Sequence, residues 1–400
     1  MSELIPAGWR LVAVDEIAKT HAGGTPSTQI NEYWEGGDIP WMSSGEIHKK
    51  RIIQTDQRIT TLGYQNSSAK FFPQKTVLVA LAGQGKTRGT VAISEIPLTT
   101  NQSIAGIVIS DKTTAPDYIF HNLDSRYEEL RAASGGSGRA GLNLSIIGEQ
   151  CLLLPPLPEQ QKIATILSSV DDVIEKTRTQ IDKLKDLKTG MMQELLTKGI
   201  GHTEFKGSPV GTVPMTWTIR SLGEVATLST GGTPDRSMPD YWNGEIPWVK
   251  TGEINYSEIF DTEEKITELG LKYSAAKIVP AGAVLMAMYG QGVTRGRVAL
   301  LGINAAVNQA CVAIFPSELL ANSFLYYFLT YKYEYLRTLV QEGTQKNLNS
   351  KIIKELFVPL PTVTEQQAIS KTLGSIDLKL RRQARKVDKL LSLKKALMQD

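Results

Sequence analysis

Cysteine and histidine are scarce in this chain, and long apolar runs are absent from it. Its 400 residues include two cysteines and four histidines. Cys151 and Cys311 stand among apolar residues, so we expect small core side chains and no disulfide. The histidines lack metal-ligand spacing, so we expect no metal site. No apolar run reaches the roughly eighteen residues of a membrane helix, and the N-terminus MSELIPAGWR lacks the basic and apolar regions of a signal peptide. The sequence therefore predicts a cytoplasmic protein without a membrane segment.

Catalytic motifs are missing as well. An amino-methyltransferase requires an Asx-Pro-Pro-aromatic loop, but Pro-Pro occurs only at residues 155–156, without the Asx or the aromatic residue. No carboxylate cluster with a lysine indicates a nuclease, and no Ser/His/Asp or Cys/His set indicates nucleophilic catalysis. We therefore predict a chain that is not an enzyme and has no catalytic residues of its own.

Charge and length set wide limits on the function. A formal net charge of +3 neither requires nor excludes a nucleic-acid partner, so the distribution of charge has to decide. A chain of 400 residues, 41% of them apolar, predicts two or three domains with ordinary cores.

Two segments repeat one amphipathic helical design. Apolar residues in 158–199 recur at steps of three and four, which places them on one narrow stripe of a helix. The tripeptide Glu-Gln-Gln of residues 159–161 recurs at 365–367, where the second helix begins. A helix of about forty residues is roughly 60 Å long, and so narrow a stripe requires a partner. We expect the two helices to form an antiparallel coiled coil. The predicted stripes comprise Ile163, Ile166, Leu167, Val170, Val173, Ile174, Ile181, Leu184, Leu187, Met191 and Leu195 in the first helix, and Ile369, Leu373, Ile376, Leu380, Val387, Leu390, Leu391 and Leu397 in the second.

The segments that precede the helices are also copies of each other. Short motifs recur in the same order and at nearly constant spacing, which indicates a duplicated half and not a solenoid repeat. The pairs are Gly-Gly-Thr-Pro at 23–26 and 231–234, Tyr-Trp at 33–34 and 241–242, Ile-Pro-Trp at 39–41 and 246–248, Gly-Gln-Gly at 83–85 and 290–292, Thr-Arg-Gly at 87–89 and 294–296, and Asn-Gln at 101–102 and 308–309.

Each copy predicts a mixed module of strands and helices. Apolar runs at 76–80, 103–109 and 283–287 predict buried strands, and residues 118–133 and 323–340 predict helices. The fold class is therefore α+β, with two similar mixed α/β domains joined by the two long helices. The predicted segments are a first domain at 1–157, a central helix at 158–199, a polar linker at 200–215, a second domain at 216–362 and a C-terminal helix at 363–400. The second helix ends earlier than the first, so we expect a shortened C-terminus or a naturally absent final turn.

An antiparallel helix pair would relate the two halves by a pseudo-twofold axis. Two similar domains related in this way have the geometry of a protein that reads two half-sites on DNA.

One segment matches a loose P-loop pattern, Ala80 to Thr87. The second copy has Val293 where the phosphate-binding lysine must stand, which argues against a nucleotide site. Both copies keep a Gly-Gln-Gly turn followed by Thr and Arg. We interpret it as a tight turn that presents polar side chains to phosphates and base edges. The candidate contacts from this turn are Gln84, Lys86 and Arg88 in the first copy and Gln291 and Arg295 in the second.

Polar residues near the repeated aromatic cluster are further candidates. The aromatic rings themselves predict core packing. The shared frame carries Ser43 and Ser44 in one copy and Lys250 and Thr251 in the other, a difference that suits the reading of different DNA, although unselected surface change would also explain it. Thr25 and Thr233 of the Gly-Gly-Thr-Pro motifs join this set, with a plain turn as the alternative. The Asn-Gln pairs either contact a ligand or cap their turns.

Glycine-rich loops follow the second predicted helix of each module. Arg139 and Asn143 in one copy, and Gln345, Lys346 and Asn349 in the other, suit phosphates or purine edges, and an ordinary surface loop is the alternative. Basic residues also outnumber acidic ones on the C-terminal helix, which indicates either a solvated face or a surface for DNA or an acidic partner.

Taken together, these residues resemble the DNA specificity (S) subunit of bacterial type I restriction-modification enzymes. The resemblance rests on the repeated Gly-Gly-Thr-Pro, Tyr-Trp and Ile-Pro-Trp motifs and on Gly343 to Asn349. It rests also on the proline-containing segments 154–158 and 358–361, which lead into the helices that carry Glu-Gln-Gln. It spans essentially the whole chain. The glycine-rich loop of the first copy departs from the usual sequence of this family at residues 138–143.

The resemblance implies two target recognition domains that each read half of a split DNA sequence. It implies that the helices act as a spacer and as the docking surface for two adenine-N6 methyltransferase subunits. S-adenosylmethionine would be bound by those partners, and ATP and Mg²⁺ by restriction and motor subunits, so we expect no cofactor in this chain. The alternatives are a freestanding DNA-binding regulator of a split site, a P-loop nucleotide-binding protein and a purely structural coiled-coil protein.

Overall fold

The computed structural model describes residues 5–83, 85–133, 141–290, 293–315, 317–339 and 347–398. Two compact units divide the chain. The first unit lies within residues 1–177 and 386–400, and the second within residues 178–385. Each unit therefore contains one globular part together with a segment of each long helix.

The first globular part contains short strands and short helices. Its strands are β1 (Arg10–Ala13), β2 (Ala18–Ala22), β3 (Ile39–Met42), β4 (Arg51–Ile52), β5 (Gln57–Ile59), β6 (Phe71–Phe72), β7 (Val77–Ala80), β8 (Val91–Ser94), β9 (Leu98–Thr100), β10 (Ile104–Ile109) and β11 (Cys151–Leu154). Its helices are α1 (Val14–Ile17), α2 (Thr61–Gln65), α3 (Pro116–Ser125), α4 (Tyr127–Ala133) and α5 (Leu144–Gly148). The 41-residue helix α6 (Leu157–Thr197) follows.

The second globular part repeats this order after a hairpin. Its strands are β12 (Phe205–Ser208), β13 (Gly211–Pro214), β14 (Thr218–Ser221), β15 (Leu228–Thr230), β16 (Trp242–Val249), β17 (Glu258–Ile259), β18 (Glu264–Ile266), β19 (Ile278–Val279), β20 (Val284–Ala287), β21 (Val298–Leu301), β22 (Ala305–Val307), β23 (Cys311–Ile314) and β24 (Phe357–Leu360). Its helices are α7 (Leu222–Val225), α8 (Glu268–Lys272), α9 (Asn322–Tyr331), α10 (Tyr333–Thr338) and α11 (Ser350–Lys354), and α12 (Val363–Leu397) ends the described chain.

The sheets of the two parts have matching strand orders. In the first part the orders are β2-β10-β7-β8-β4 and β5-β3-β9-β6, and in the second they are β15-β23-β20-β21-β17 and β18-β16-β22-β19. Apolar runs such as β7 and β20 are buried along their whole length, because the strands lie in the middle of their sheets and are covered on both faces. The predicted α+β fold class and the predicted buried strands are confirmed.

The long helices are confirmed, and their pairing is antiparallel in the second unit. Lys188 of α6 forms an ion pair with Asp377 of α12, whereas the backbone N–H of Ile200, beyond the end of α6, donates to Glu365 near the start of α12. Later residues of one helix therefore lie beside earlier residues of the other.

The predicted stripes are only partly buried. Leu167 and Ile174 of α6 and Ile369, Leu373 and Ile376 of α12 are buried. Others are exposed, because a straight helix has 3.6 residues per turn and a long stripe drifts away from the contact line. The exposed members of the predicted stripes are Ile166, Val173, Leu187, Leu391 and Leu397.

A buried glutamine fixes the start of each long helix. The side chain of Gln160 accepts a hydrogen bond from the N–H of Ala115 and donates to the carbonyls of Thr113 and Pro155. Gln366 makes the matching bonds with Ala321, Leu319 and Pro361. The central residue of each Glu-Gln-Gln motif therefore satisfies backbone groups where the globular part meets the helix.

The predictions of two uninterrupted helices were wrong. Residues 118–133 and 323–340 were predicted as single helices, but each is broken, at Arg126 and at Lys332, whose side chains donate to the backbone carbonyls of Cys151 and Val210. The predicted linker contains the hairpin of β12 and β13, because Ser208 to Gly211 form a turn with Gly211 at a φ of 107°. The five-segment division itself stays a prediction.

Within the described ranges, no helix is both long enough and apolar enough to cross a membrane.

Candidate functional site

The threonine of each Gly-Gly-Thr-Pro motif contacts the glutamine of the Asn-Gln motif. The Thr25 hydroxyl donates to Oε1 of Gln102 over 2.6 Å, and the Thr233 hydroxyl donates to Oε1 of Gln309. These two motifs are separated by more than seventy residues in each half. The structure therefore joins the two repeated motifs into one site in each unit.

The glycines of these motifs permit close approach between two backbones. A Cβ atom added at Gly23 would lie 2.2 Å from the carbonyl oxygen of Thr100, and one at Gly231 would lie 1.8 Å from that of Val307. Because no side chain fits these contacts, glycine is required here for space.

The aromatic cluster supports the same turns from beneath. The indole N–H of Trp41 donates to the carbonyl of Gly24 over 3.0 Å, and Trp248 donates to that of Gly232 over the same distance. Both indoles are almost fully buried. The prediction that most of these rings belong to the core is confirmed for this pair.

Ser43 and Lys250 occupy equivalent positions before short 3₁₀ helices. Each backbone N–H donates to a glutamate three residues later, Glu46 or Glu253. The Lys250 ammonium also donates to Glu263 over 2.7 Å, and that hydrogen bond raises the pKa of Lys250. The frame is the same in both units, and the side chain it presents is a hydroxyl in one and an ion-paired ammonium in the other.

Ser44 and Thr251 keep a hydroxyl in both units. The amide nitrogen of Asn101 lies 3.5 Å from the Ser44 hydroxyl, and that of Asn308 donates to the Thr251 hydroxyl over 3.0 Å. The asparagine oxygens accept from backbone N–H groups two residues later. Asn101 and Asn308 therefore cap their turns, which was the alternative to a ligand contact.

The segment that resembles a P-loop joins two antiparallel strands. β7 pairs with β8, and residues 81–90 form the connection between them, so a strand follows the glycines where a P-loop requires a helix. The P-loop interpretation is therefore wrong. Gly83 has a φ of 133°, and its equivalent Gly290 has a φ of 132°, which explains why both copies keep the glycines.

An unpredicted tyrosine holds this connection in each unit, and an arginine joins it in the first unit. The Tyr127 hydroxyl donates to the carbonyl of Lys86, and Arg131 donates to the carbonyl of Gly85 over 2.6 Å. In the second unit the Tyr333 hydroxyl donates to the carbonyl of Val293. The i, i+4 spacing of Tyr and Arg was visible in both copies of the sequence but carried no indication of this contact.

The basic residues of the connection are only partly accessible. Lys86 is exposed, whereas Arg88 and Arg295 are half-buried. The Nε atom of Arg88 is buried and makes no hydrogen bond with the described residues. Because Nε is buried, only the terminal nitrogens of the Arg88 guanidinium are left to meet a partner at the surface.

Asn143 and Asn349 act as helix N-caps. The side-chain oxygen of Asn143 accepts from the N–H of Ile146, and that of Asn349 accepts from the N–H of Ile352, each over 2.9 Å. These oxygens satisfy the first turns of α5 and α11, so only the amide donors remain for a ligand. Gln84, Arg139, Gln291, Gln345 and Lys346 lie outside the described residues.

Backbone contacts bring these turns to one edge of each globular part. We call the set of residues 23–26, 43–48, 81–90 without residue 84, 101–103 and 141–143 the first loop edge, and the set 231–234, 250–255, 288–297 without residues 291 and 292, 308–310 and 347–349 the second loop edge. The N–H of Gly24 donates to the carbonyl of Thr100, and that of Leu81 donates to Ser103. His48 lies 3.3 Å from the Thr87 hydroxyl. In the second loop edge the N–H of Met288 donates to the carbonyl of Ala310 and that of Leu348 to the carbonyl of Met288, so turns from distant parts of the sequence meet in each unit.

Each loop edge offers fixed donors and cations over a rigid frame. Such surfaces suit phosphate oxygens and base edges. Among the described residues, no three or more His, Cys, Asp or Glu side chains gather as a metal ion would require.

Comparisons with known proteins identify a family and a fold. The family model for the type I restriction modification DNA specificity domain matches residues 6–186 and 214–390. The specificity subunit of type I restriction enzyme MjaIX from Methanocaldococcus jannaschii is 27% identical over 372 residues, which cover 89% of this chain and 84% of that protein. The EcoR124I/EcoR124II specificity subunit of Escherichia coli is 21% identical over 375 residues, covering 87% and 89%.

Solved structures share the fold at low identity. The crystal structure of the S subunit of a type I restriction-modification system from M. genitalium has a TM-score of 0.67 at 15% identity, covering 100% of this chain and 97% of that one. A chain from a study of complex assembly in the type I restriction-modification system has a TM-score of 0.55 at 19% identity, covering 99% and 98%.

Proposed function

This chain belongs to the type I restriction-modification DNA specificity family, and we propose that it reads a bipartite DNA sequence with its two loop edges. The observation that carries the proposal is the duplicated site. Both units keep the bonds between threonine and glutamine and between tryptophan and glycine, while the residues presented on that frame differ. A constant frame with variable polar side chains is what two readers of different half-sites require.

The variable positions are the proposed base-reading residues. Ser43 and Lys250 differ in charge on one frame, and Lys86 is replaced by Val293 in the other connection. Hydroxyls and ammonium groups bond to different base edges in the major groove. Arg88 and Arg295 are shared by both copies and suit a phosphate.

The remaining candidates stay proposals of the same kind. They are Thr25, Ser44, Thr251, Thr233, Asn143 and Asn349 among the described residues, and Gln84, Arg139, Gln291, Gln345 and Lys346 outside them. Thr25 and Thr233 act indirectly in this proposal, because their hydroxyls are committed to glutamines.

Catalysis is assigned to partner subunits in this proposal. Two adenine-N6 methyltransferase subunits would dock on the paired long helices and bring S-adenosylmethionine, and restriction or motor subunits would bring ATP and Mg²⁺. The family membership supports this assignment, and a chain that contributes recognition alone needs no cofactor of its own. A cytoplasmic location follows from the same proposal.

Domain exchange with methylation mapping tests the proposal. Residues 1–157 are replaced by the corresponding residues of another specificity subunit, and the chain is purified with its methyltransferase partners. Sequencing of methylated adenines should show one half-site changed and the other retained, because each loop edge reads independently.

The control exchanges residues 216–362 and should change the complementary half-site. Loss of both half-sites in either exchange would contradict independent reading. Tight binding to a split site by the chain alone, with no effect of the methyltransferase, would favour a freestanding regulator instead.

A further inference from the structure

Gln102 and Gln309 have exposed side chains at the centres of the two loop edges. We propose that their amide groups donate hydrogen bonds to phosphate oxygens of DNA and thereby position each loop edge on the duplex. The sequence alone left open whether the Asn-Gln pairs contact a ligand or cap their turns. The inference rests on the proposed function, because it requires the loop edges to face DNA.

The neighbouring threonine fixes the orientation of each amide. Oε1 of Gln102 accepts the Thr25 hydroxyl, and Oε1 of Gln309 accepts the Thr233 hydroxyl. The nitrogen stands at the opposite end of the planar amide group and carries two N–H donors. None of the described residues accepts a hydrogen bond from either Nε2 atom. Each site therefore presents donors whose acceptor must come from outside the described chain.

The backbone under each glutamine is fixed as well. The turn at residues 101–103 is closed by the side chain of Asn101, which accepts from the N–H of Ser103, and the N–H of Asn101 donates to the carbonyl of Met42. Asn308 makes the same bonds with Ala310 and Val249. A side chain held in place before binding loses little conformational entropy when it meets its partner.

The identity of the pair in both units favours phosphate over bases. The loop edges differ at Ser43 and Lys250 and at Lys86 and Val293, yet each keeps the same threonine and glutamine. If the two units read different sequences, their identical contacts must reach a part of DNA that does not change with sequence. The sugar-phosphate backbone is that part, and contacts to it set register without specifying bases.

The main test substitutes the donor and keeps the acceptor. In Gln102→Glu, a carboxylate oxygen still accepts the Thr25 hydroxyl, but the two N–H donors are lost. The variant is measured in the complete complex with methyltransferase, on the duplex identified by methylation mapping and on a duplex with both half-sites scrambled. We expect binding to weaken roughly tenfold or more on both duplexes, with an unchanged ratio between them.

The second unit provides an independent repetition. Gln309→Glu should weaken binding by a similar factor, and the double variant by about the product of the two factors, because the glutamines lie in separate units and bond to different threonines. Gln102→Leu removes the donors without adding charge and should also weaken binding to both duplexes. Gln74→Glu introduces the same charge at an exposed residue before β7, at the end of that strand opposite residues 81–90, and should bind like the wild type.

Several outcomes would overturn the inference. Unchanged binding of both glutamate variants would show that the amides meet no phosphate. Weakening confined to the specific duplex would show that the glutamines read bases such as the guanine O6 and N7 acceptors. If weaker DNA binding is accompanied by faster hydrogen exchange in residues 98–104, the glutamine stabilises the fold and does not contact DNA. A wild-type complex without preference for any duplex would reject the proposed function itself, a failure visible before any variant is made.

Discussion

Among the described residues, each unit contains one lysine–aspartate bridge between its long-helix segments, and the two bridges differ in their surroundings. In the first bridge, Lys394 lies 2.7 Å from Asp171. In the second bridge, Lys188 lies 2.6 Å from Asp377. The residue beside the aspartate is a histidine in one unit and a tyrosine in the other. Equivalent positions of the two copies thus form the same ion pair with different third members.

The second bridge depends on one carboxylate. Oδ1 of Asp377 accepts from Lys188, and Oδ2 accepts from the Tyr327 hydroxyl over 2.7 Å. Lys188 and Asp377 are each 17% exposed, so water contributes little to their solvation. Burial, followed by the charge of Asp377, raises the pKa of Tyr327, which keeps the phenol a donor at every ordinary pH.

The first bridge shares its lysine between two carboxylates. Lys394 lies 2.7 Å from Asp171 and 3.6 Å from Asp124, and Asp124 also bonds to Lys50. His121 donates nothing to Asp171, because its Nδ1 atom lies 3.9 Å away and makes no hydrogen bond with the described residues. The two copies therefore keep the same ion pair but stabilise it in different ways. In the second bridge a tyrosine hydroxyl donates a hydrogen bond to the aspartate, whereas the first bridge belongs to a wider network of charges.

Removal of the aspartates should give the largest difference between the bridges. Asp377→Ala leaves Lys188 without a carboxylate and Tyr327 without its acceptor, so we expect a loss of about 3 kcal/mol in the free energy of unfolding. Asp171→Ala leaves Lys394 beside Asp124, and the loss should be about 1 kcal/mol. Urea-dependent hydrogen exchange, read separately for peptides of α6 and α12, measures both.

An exposed bridge on the same helix supplies the control. Lys185 and Asp182 of α6 are 63% and 71% exposed, so Asp182→Ala should change stability by less than about 0.5 kcal/mol. Equal losses in Asp377→Ala and Asp171→Ala would contradict the distinction between a single and a shared carboxylate.

Acidification should destabilise the first unit through His121. Burial lowers the pKa of His121 to about 3, with further lowering from Lys394 and Arg51 against the opposite effect of Asp124 and Asp117. Asp171 faces the ring from α6. Arg51 of β4 donates to the Ser168 hydroxyl, which also contacts the histidine ring.

The direction of this pH dependence follows from proton uptake by the unfolded chain. Below about pH 6.5 the histidine of the unfolded chain binds a proton, whereas the folded one stays neutral until about pH 3. The stabilisation is therefore complete above pH 6.5 and is lost as the pH falls toward 3. Between pH 6.5 and pH 5 the loss amounts to about 2 kcal/mol.

His121→Gln keeps a hydrogen-bonding group for Ser168, which lies 3.0 Å from Nε2 of the histidine, and removes the titration. Hydrogen exchange of α3 peptides at pH 5 and pH 6.5 should show the stability difference shrink by about 2 kcal/mol in this variant. A difference as large as that of the wild type would assign the acid sensitivity to other groups.

The sequence predicted the elements of this comparison but not its contacts. Steps of three and four predicted both long helices, and Asp171 and Asp377 stand at the same offset as the repeated Glu-Gln-Gln motifs. Which lysine meets each aspartate depends on the register of two helices far apart in the chain, and an amphipathic pattern sets the facing surface without setting that register.

In the candidate site, too, local motifs could be recognised in the sequence, but contacts between distant residues could not be predicted from it. The motif Gly-Gly-Thr-Pro was recognised as repeated, but its threonine meets a glutamine more than seventy residues away, and nothing in either local pattern indicates the pairing. Asn143 and Asn349 were predicted as ligand contacts, although an asparagine before a helix also predicts an N-cap, and the structure shows the caps. Polar residues at turns either cap a helix or contact a ligand, so the residue type alone does not distinguish these two roles.

Substitution of the residue beside each aspartate, Tyr327 or His121, should give the smallest difference in the free energy of unfolding between the two bridges. Tyr327→Phe removes a hydroxyl that donates to a charged acceptor, and we expect a loss of about 1.5 kcal/mol in the second unit. His121→Phe removes one bond to Ser168 together with a buried nitrogen that has no described partner, so the two effects offset and the change should stay below about 0.5 kcal/mol. The same exchange experiment at pH 7 compares both variants. A larger loss for His121→Phe than for Tyr327→Phe would mean that the histidine, and not the shared lysine, supports the first bridge.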